Sequence, residues 1–341
     1  MAATLLAVVG PVVLAACGSS SSPHSAQPPA PACHKPLPTG SALPADEAPA
    51  PPRSGSYFGG FSLLGSDVTQ SALTSSFDTL QRTACATLAI AHVYLPYGHP
   101  FPTASATTFA QSGHIVMVSW AGTDIPQMAS GQDDAEIVAT AHQIASLHSP
   151  VFLEFRWEMD RPNLASDVVS PTAYITAWDR IRSLFRSAGV HNASWVWCPT
   201  AVGFASGRAQ SYYPGNDEVD WVCADAYPDY SQPDSSSQQL GALIAPFVNW
   251  ARGTGKPAMI GEFGVPNSYS PQQRAAWLRN ARAALTEPPI KAAVYFEKGD
   301  SDKASLSYLI GNDADVVTAF RSLVAGVHQP RHGETVGTGS G

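Results

Sequence analysis

Val151-Phe152-Leu153-Glu154-Phe155-Arg156-Trp157-Glu158 is followed, after a polar loop, by Ser170-Pro171 and then by Ser194-Trp195-Val196-Trp197-Cys198. The first and last of these are short runs rich in apolar and aromatic residues, the composition of strands buried on both faces. Between them Tyr174, Trp178, Ile181 and Phe185 recur at i, i+4, i+7 and i+11, one face of a helix. Ser170 stands where it can cap that helix and Pro171 at its first position. A strand, a helix and a second strand in one short stretch form a βαβ unit, which sets its two strands parallel.

The same alternation runs outward in both directions. Apolar runs cover Tyr57–Leu63, Thr87–Leu95, His114–Trp120, Val151–Glu158, Ser194–Cys198, Val219–Tyr227, Ala258–Phe263 and Ala292–Glu297, with longer amphipathic segments between them. Ser270-Pro271-Gln272-Gln273 supplies a capping box ahead of Arg274–Leu285. Eight such units predict an α/β chain closed into a single (β/α)8 TIM barrel over residues 54–328. The alternative is a doubly wound open sheet, but no GxGxxG follows the first run. Catalytic side chains of a barrel gather at the C-terminal ends of its strands, and the opposite ends here offer little besides His114.

The chain has 341 residues, with 19 Lys and Arg against 27 Asp and Glu for a net charge of −8, which excludes a nucleic-acid binder. With 44% hydrophobic and 13% charged residues it can bury a large core. The apolar run Leu5–Ala16 ends in Leu14-Ala15-Ala16-Cys17, with Gly18 and serines after it. This resembles a bacterial lipoprotein signal, in which residues 1–17 carry the lipobox and Cys17 receives the lipid. No Lys or Arg precedes the run, which departs from that pattern. Residues 18–53 hold ten prolines and no apolar periodicity, and are expected to be a disordered, extended tether. Residues 329–341 read as a disordered polar tail. The expected localisation is export, with the protein held on the outer face of the cell membrane through the lipid alone.

Four cysteines remain: Cys33, Cys85, Cys198 and Cys223. Export permits disulfides, and Cys198 and Cys223 lie on consecutive strand runs, yet three pairings of four thiols are open to the sequence. No CxxC or HxxxH spacing marks a metal site, and no cofactor is expected.

Glu158 ends the fourth run and Glu262, in Gly261-Glu262-Phe263-Gly264, ends the seventh. A closed barrel carries both to one mouth. Ionised carboxylates beside aromatic residues are costly to place there without a task, and two such acids serve glycoside cleavage, one as proton donor and one as attacker. The structural alternative is an ion pair with Arg156 or Lys256. Glu154, Arg156 and Glu158 lie two apart, so on a continuous strand they share a face and Arg156 restrains both acids. His92 reads as a core or rim histidine, and Asp225 equally as a partner of the site or a loop ion pair. Trp178, Trp250 and Trp277 fall on helical stripes and belong to the core.

Phe155-Arg156-Trp157-Glu158-Met159-Asp160, Trp195-Val196-Trp197-Cys198-Pro199, Tyr212-Tyr213-Pro214-Gly215, Val219-Asp220-Trp221-Val222 and Lys256-Pro257-Ala258-Met259-Ile260-Gly261-Glu262-Phe263-Gly264 resemble glycoside hydrolase family 26, in the right order from about Tyr57 to Glu297. That family holds β-mannanases and some β-glucanases and β-xylanases. The resemblance implies a retaining enzyme, with Glu158 on the acid/base, Glu262 on the nucleophile, Tyr227 on the strand-six tyrosine beside the nucleophile and Trp120 on the strand-three tryptophan. The family pattern has His and Asn around the acid/base where this chain has Trp157 and Asp160, and often Arg where it has Glu154. Trp120, Arg156, Trp157, Trp197, Tyr227 and Tyr295 are the expected sugar-binding residues, since sugar rings stack on aromatic faces. The expected function is a retaining endo-β-glycosidase acting on a polysaccharide or oligosaccharide, as a monomer. A non-catalytic surface glycan-binding lipoprotein on a degenerate barrel is the alternative.

Overall fold

The structure, a computed structural model, describes Cys33 and residues 46–286, 290–299 and 306–327. The signal segment with Cys17, most of the tether and the 329–341 tail lie outside the described residues. The described residues close into a barrel of eight parallel strands in sequence order: β1 Tyr57–Leu63, β2 Ile90–Leu95, β3 Ile115–Trp120, β4 Val151–Phe155, β5 Ala193–Trp197, β6 Trp221–Ala226, β7 Ala258–Phe263 and β8 Ile290–Lys298. The ring closes by pairing of β1 with β8 from Tyr57 opposite Ala292 to Leu63 opposite Lys298.

Helices fill the connections: α1 Gln70–Ala84, α2 Ala104–Gln111, α3 Ile125–Ser130, α4 Asp134–Ala145, α5 Ala165–Val168, α6 Pro171–Ser187, α7 Ala201–Ala205, α8 Leu240–Ala251, α9 Pro271–Thr286 and α10 Ala314–Gly326. The local signals act as chemistry requires. Ser170 Oγ accepts the Ala173 N–H at the start of α6. At α9, Gln273 N–H donates to Ser270 Oγ while Gln273 Oε1 accepts the Ser270 N–H, so the box satisfies two end donors at once. Tyr174, Trp178, Ile181 and Phe185 are all buried.

Two cores result from strand alternation. Ile115, Met117, Phe152, Val196, Trp221, Met259 and Val294 fill the barrel interior. Their neighbours of opposite parity, among them Val118, Leu153, Trp195 and Val222, pack outward against the helices. Trp178 and Trp277 belong to this outer layer, and Trp250 packs against it half-buried.

The floor of the barrel corrects the expected boundary at residue 53. Ser194 Oγ and Trp221 Nε1, inside the N-terminal ends of β5 and β6, both donate to the Pro49 carbonyl at 2.9 and 3.2 Å. Tyr57 Oη donates to the Ala50 carbonyl and Lys291 Nζ to that of Pro52. Residues 46–53 therefore belong to the folded domain as a plug that accepts hydrogen bonds from buried donors. Disulfides join Cys33 to Cys85 and Cys198 to Cys223, so β5 is tied covalently to β6.

Candidate active site

Strand parity decides what reaches the mouth. The interior residue Ile90 is followed inward by His92 and Tyr94, Met117 by Ser119, Phe152 by Glu154, and Trp221 by Cys223 and Asp225. On β7 parity is broken. Ala224 pairs with Ile260 but Asp225 pairs with Glu262, so Gly261 is an extra residue and the strand bulges. A bulge re-aims the side chain that follows it, and Glu262 enters the mouth. Tyr227 Oη donates to Glu262 Oε2 at 2.7 Å and Tyr94 Oη donates to Oε1. Burial above all, then the negative charge of Glu158, pushes Glu262 up to about 7, while the two phenols oppose this.

Glu158 arrives by a different route. β4 ends at Phe155, earlier than the apolar run implied, and the ladder is continued by single bonds: Arg156 N–H to the Trp120 carbonyl and Glu158 N–H to the Cys198 carbonyl. Arg156 and Glu158 have φ of 49° and 53°, left-handed values that cost a residue with a side chain about 1–3 kcal/mol each. These two reversals end the strand and swing Glu158 over the mouth. They also separate Arg156 from the acids it was expected to restrain: Arg156 pairs with Asp167 at 2.8 Å. The cation on Glu158 is instead Arg161, whose Nη1 lies 2.5 Å from Oε2. Burial raises the Glu158 pKa, and Arg161 opposes that rise.

Beneath the mouth lies a polar chain. Ser119 Oγ donates to Glu154 Oε2 at 2.5 Å and sits 2.7 Å from His92 Nε2. Burial pushes Glu154 up to about 8 and holds His92 at about 3, so burial favours the neutral form of each. Asp225, also buried, is raised well above its ordinary value chiefly by burial and then by the negative charges of Glu262 and Glu154. Asp225 is thus a partner of the site rather than a loop ion pair. Among the described residues, Glu154, Cys198 and Cys223 have ligand atoms close enough together for a metal ion, but the two sulfurs are bonded to each other and offer no thiolate.

Three expected sugar-binding residues do not reach the mouth. Trp120 follows inward-facing Ser119 and so points out, packed on Phe155 and Phe185. Trp197 packs on Phe204, Tyr213 and Trp250 outside β5, with its Nε1–H given to the Tyr212 carbonyl. Tyr295 is buried between Phe263 and Phe320. Trp157 does line the site, half-buried with its ring 5.2 Å from Tyr94. Opposite it stand Tyr227, Phe296 and Tyr308 in mutual ring contact. Tyr94, Arg161, Phe296 and Tyr308 were missed. Tyr94 and Phe296 were legible, because each lies one residue from a chosen strand end on the inward parity. Asp160, where the family pattern has Asn, ties the Thr200 N–H and hydroxyl at 2.8 and 2.7 Å and is buried away from the opening.

Two carboxylic acids at the C-terminal ends of barrel strands four and seven, walled by aromatic rings, define the equipment of the glycoside hydrolases built on this fold. No family model matches the chain. Over 170 residues, 48% of this chain and 33% of the relative, it is 31% identical to a β-1,3-xylanase of Alcaligenes sp.. Over 300 residues, 81% of this chain and 32% of the relative, it is 23% identical to endoglucanase H of Acetivibrio thermocellus. The chain thus spans about a third of the length of these relatives. The catalytic domain of a family 26 endo-β-1,4-mannanase from Bacillus sp. superposes with a TM-score of 0.65 at 14% identity, covering 88% of this chain and 97% of that one. The barrel is the fold of family 26 mannanases, as the motifs implied.

Proposed function

We propose that the chain is a retaining endo-β-glycosidase that cleaves a β-linked polysaccharide, β-mannan or β-glucan or xylan, by double displacement. The observation that carries this reading is Glu262, aimed into the mouth by a bulge and gripped by two phenols, with the charge of Glu158 close enough to raise its pKa. In the first step the Glu262 carboxylate attacks the anomeric carbon, forming an ester bond, while protonated Glu158 gives its proton to the departing glycosidic oxygen. In the second, the Glu158 carboxylate takes a proton from water, and the water oxygen displaces Glu262. Two inversions return the β configuration. Tyr94 and Tyr227 favour the ionised nucleophile and fix its orientation. Trp157, Phe296 and Tyr308 offer apolar faces to sugar rings.

A polysaccharide and aryl β-glycoside panel tests the reading, with wild type, Glu262→Ala and Glu158→Ala compared after a check of fold. Release of reducing ends by wild type and none by Glu262→Ala is expected. Binding of a polysaccharide by wild type without release puts the glycan-binding alternative in its place. We further propose that the chain is exported and held at a membrane surface by lipid on Cys17. The support is the lipobox-like Leu14-Ala15-Ala16-Cys17, and loss of membrane association in Cys17→Ser tests it.

A further inference from the structure

The mechanism uses the two carboxylates and the two phenols, and leaves unexplained a disulfide lodged directly below them. Cys198 and Cys223 point into the barrel from β5 and β6, 1% and 0% exposed. Both acids lean on this bridge. The Cys198 carbonyl accepts the Glu158 N–H at 2.7 Å, after the backbone has left the strand. The bulge residue Gly261 lies so close to the sulfurs that a Cβ there falls 2.6 Å from Cys223 Sγ and 2.8 Å from both Cys198 Sγ and Asp225 Oδ1. Contacts below 3.0 Å are not sustained, so the extra residue of β7 fits only as glycine while the disulfide fills the space beneath it. Asp225, in turn, stands opposite Glu262 in the β6–β7 register and lies 3.2 Å from Cys198 Sγ.

We propose that the Cys198–Cys223 disulfide, with Gly261 seated on it, is a positioning element for the double displacement: it props the β7 bulge that aims Glu262 and anchors the turn that presents Glu158. This rests on the roles proposed above for the two acids. The sulfurs touch no substrate. They act through backbone position, where a displacement of about 1 Å costs roughly 10²-fold in rate.

A double-mutant cycle separates positioning from general stability. Gly261→Ala, the paired Cys198→Ala/Cys223→Ala change and their combination are compared at a temperature where each is folded. Gly261→Ala alone lowers kcat about 10²-fold with KM within about threefold, because it moves a reacting group rather than a binding surface. In the disulfide-free background the same change costs less than about tenfold, since its methyl enters space that the sulfurs have left. Titration of the Glu262 carboxyl, followed by carbon NMR on glutamate-labelled protein without substrate, rises in Gly261→Ala as the carboxylate loses its tyrosine donors, and returns toward wild type in the combined variant. Equal losses in both backgrounds, or an unmoved Glu262 titration in Gly261→Ala, overturn the proposal. If Gly261→Ala does not fold, the paired cysteine variant decides alone: a shifted Glu262 titration supports the proposal and a wild-type one overturns it. A wild type without hydrolytic activity defeats the proposed function, while the titrations still decide the positioning.

Discussion

Arg161→Gln should move the whole pH profile upward, and the structure sets the size of the move. The guanidinium lies 2.5 Å from Glu158 and favours its ionised form, against burial, which favours the neutral acid. Removing it leaves burial unopposed, so Glu158 holds its proton to higher pH and the alkaline limb rises. Arg161 also lowers Glu262, more weakly than the two tyrosines do, so the acidic limb rises as well, by less. A pair out in water is worth about 0.2–1 kcal/mol, whereas breaking a buried one costs about 3–5 kcal/mol. Here the Glu158 side chain is 12% exposed but Arg161 is 46% exposed, so solvent screens the pair and about 1.5 kcal/mol is the reasonable value. At about 1.4 kcal/mol per tenfold change in proton affinity, the alkaline limb moves up by about one pH unit. The assay is kcat/KM on an aryl β-glycoside from acid to alkaline pH for wild type, Arg161→Gln and Arg161→Lys, the last retaining the charge and staying near wild type. An alkaline limb that stays in place in Arg161→Gln, or moves down, refutes the assignment of Arg161 as the cation that tunes the acid.

Glu158→Ala should spare aryl substrates with good leaving groups far more than polysaccharides, and azide should restore its second step; equal loss on both points to a structural role instead. Tyr227→Phe removes a hydrogen bond to a charged group, worth about 1.5–3 kcal/mol, and should lower kcat/KM by roughly 10- to 100-fold with the acidic limb moved up; an unchanged limb counts against Tyr227 as a donor to the nucleophile. Glu154, raised from 4.5 to about 8 in the folded state, favours the fold below pH 4.5, and that contribution is lost as pH rises toward 8. Wild-type Tm should therefore fall between pH 5 and 8, and Glu154→Gln should flatten that slope; parallel Tm curves would falsify the burial argument. A chain starting at Ser54, compared with a full chain carrying Cys33→Ala/Cys85→Ala so that neither has that disulfide, lacks the Pro49 carbonyl and orphans Ser194 Oγ and Trp221 Nε1, at about 1–3 kcal/mol each. Its Tm should drop by several degrees with kcat preserved at low temperature, and an unchanged Tm refutes the plug.

The architecture was readable because it depends on period and count, which the chain writes plainly: a helical stripe behind Ser170-Pro171, and apolar runs of strand length on either side. The site was readable only to within one residue, since strand parity halves the candidates and a run of apolar letters does not show its phase. Trp120, Trp197 and Tyr295 were chosen for their chemistry at strand ends, yet each is the outward neighbour of an inward residue. Glu262 shows the opposite case. By parity it ought to face the helices, and only the bulge at Gly261, invisible in composition, turns it inward. Arg161 could not be found from spacing along a strand, because it faces Glu158 across a turn closed by the Arg161 N–H to Glu158 carbonyl bond at 3.0 Å. The left-handed backbone of Arg156 and Glu158 gives no sign in the residue types themselves, neither being glycine.

The plug at Pro49 gives the domain a polarity. A chain that enters through the floor holds the barrel by the end remote from its mouth and its acids. With an anchor at Cys17, as proposed, the described attachment points of the N-terminal chain, Cys33 on Cys85 and Pro49 under β5 and β6, lie on the floor side and leave the mouth free of them.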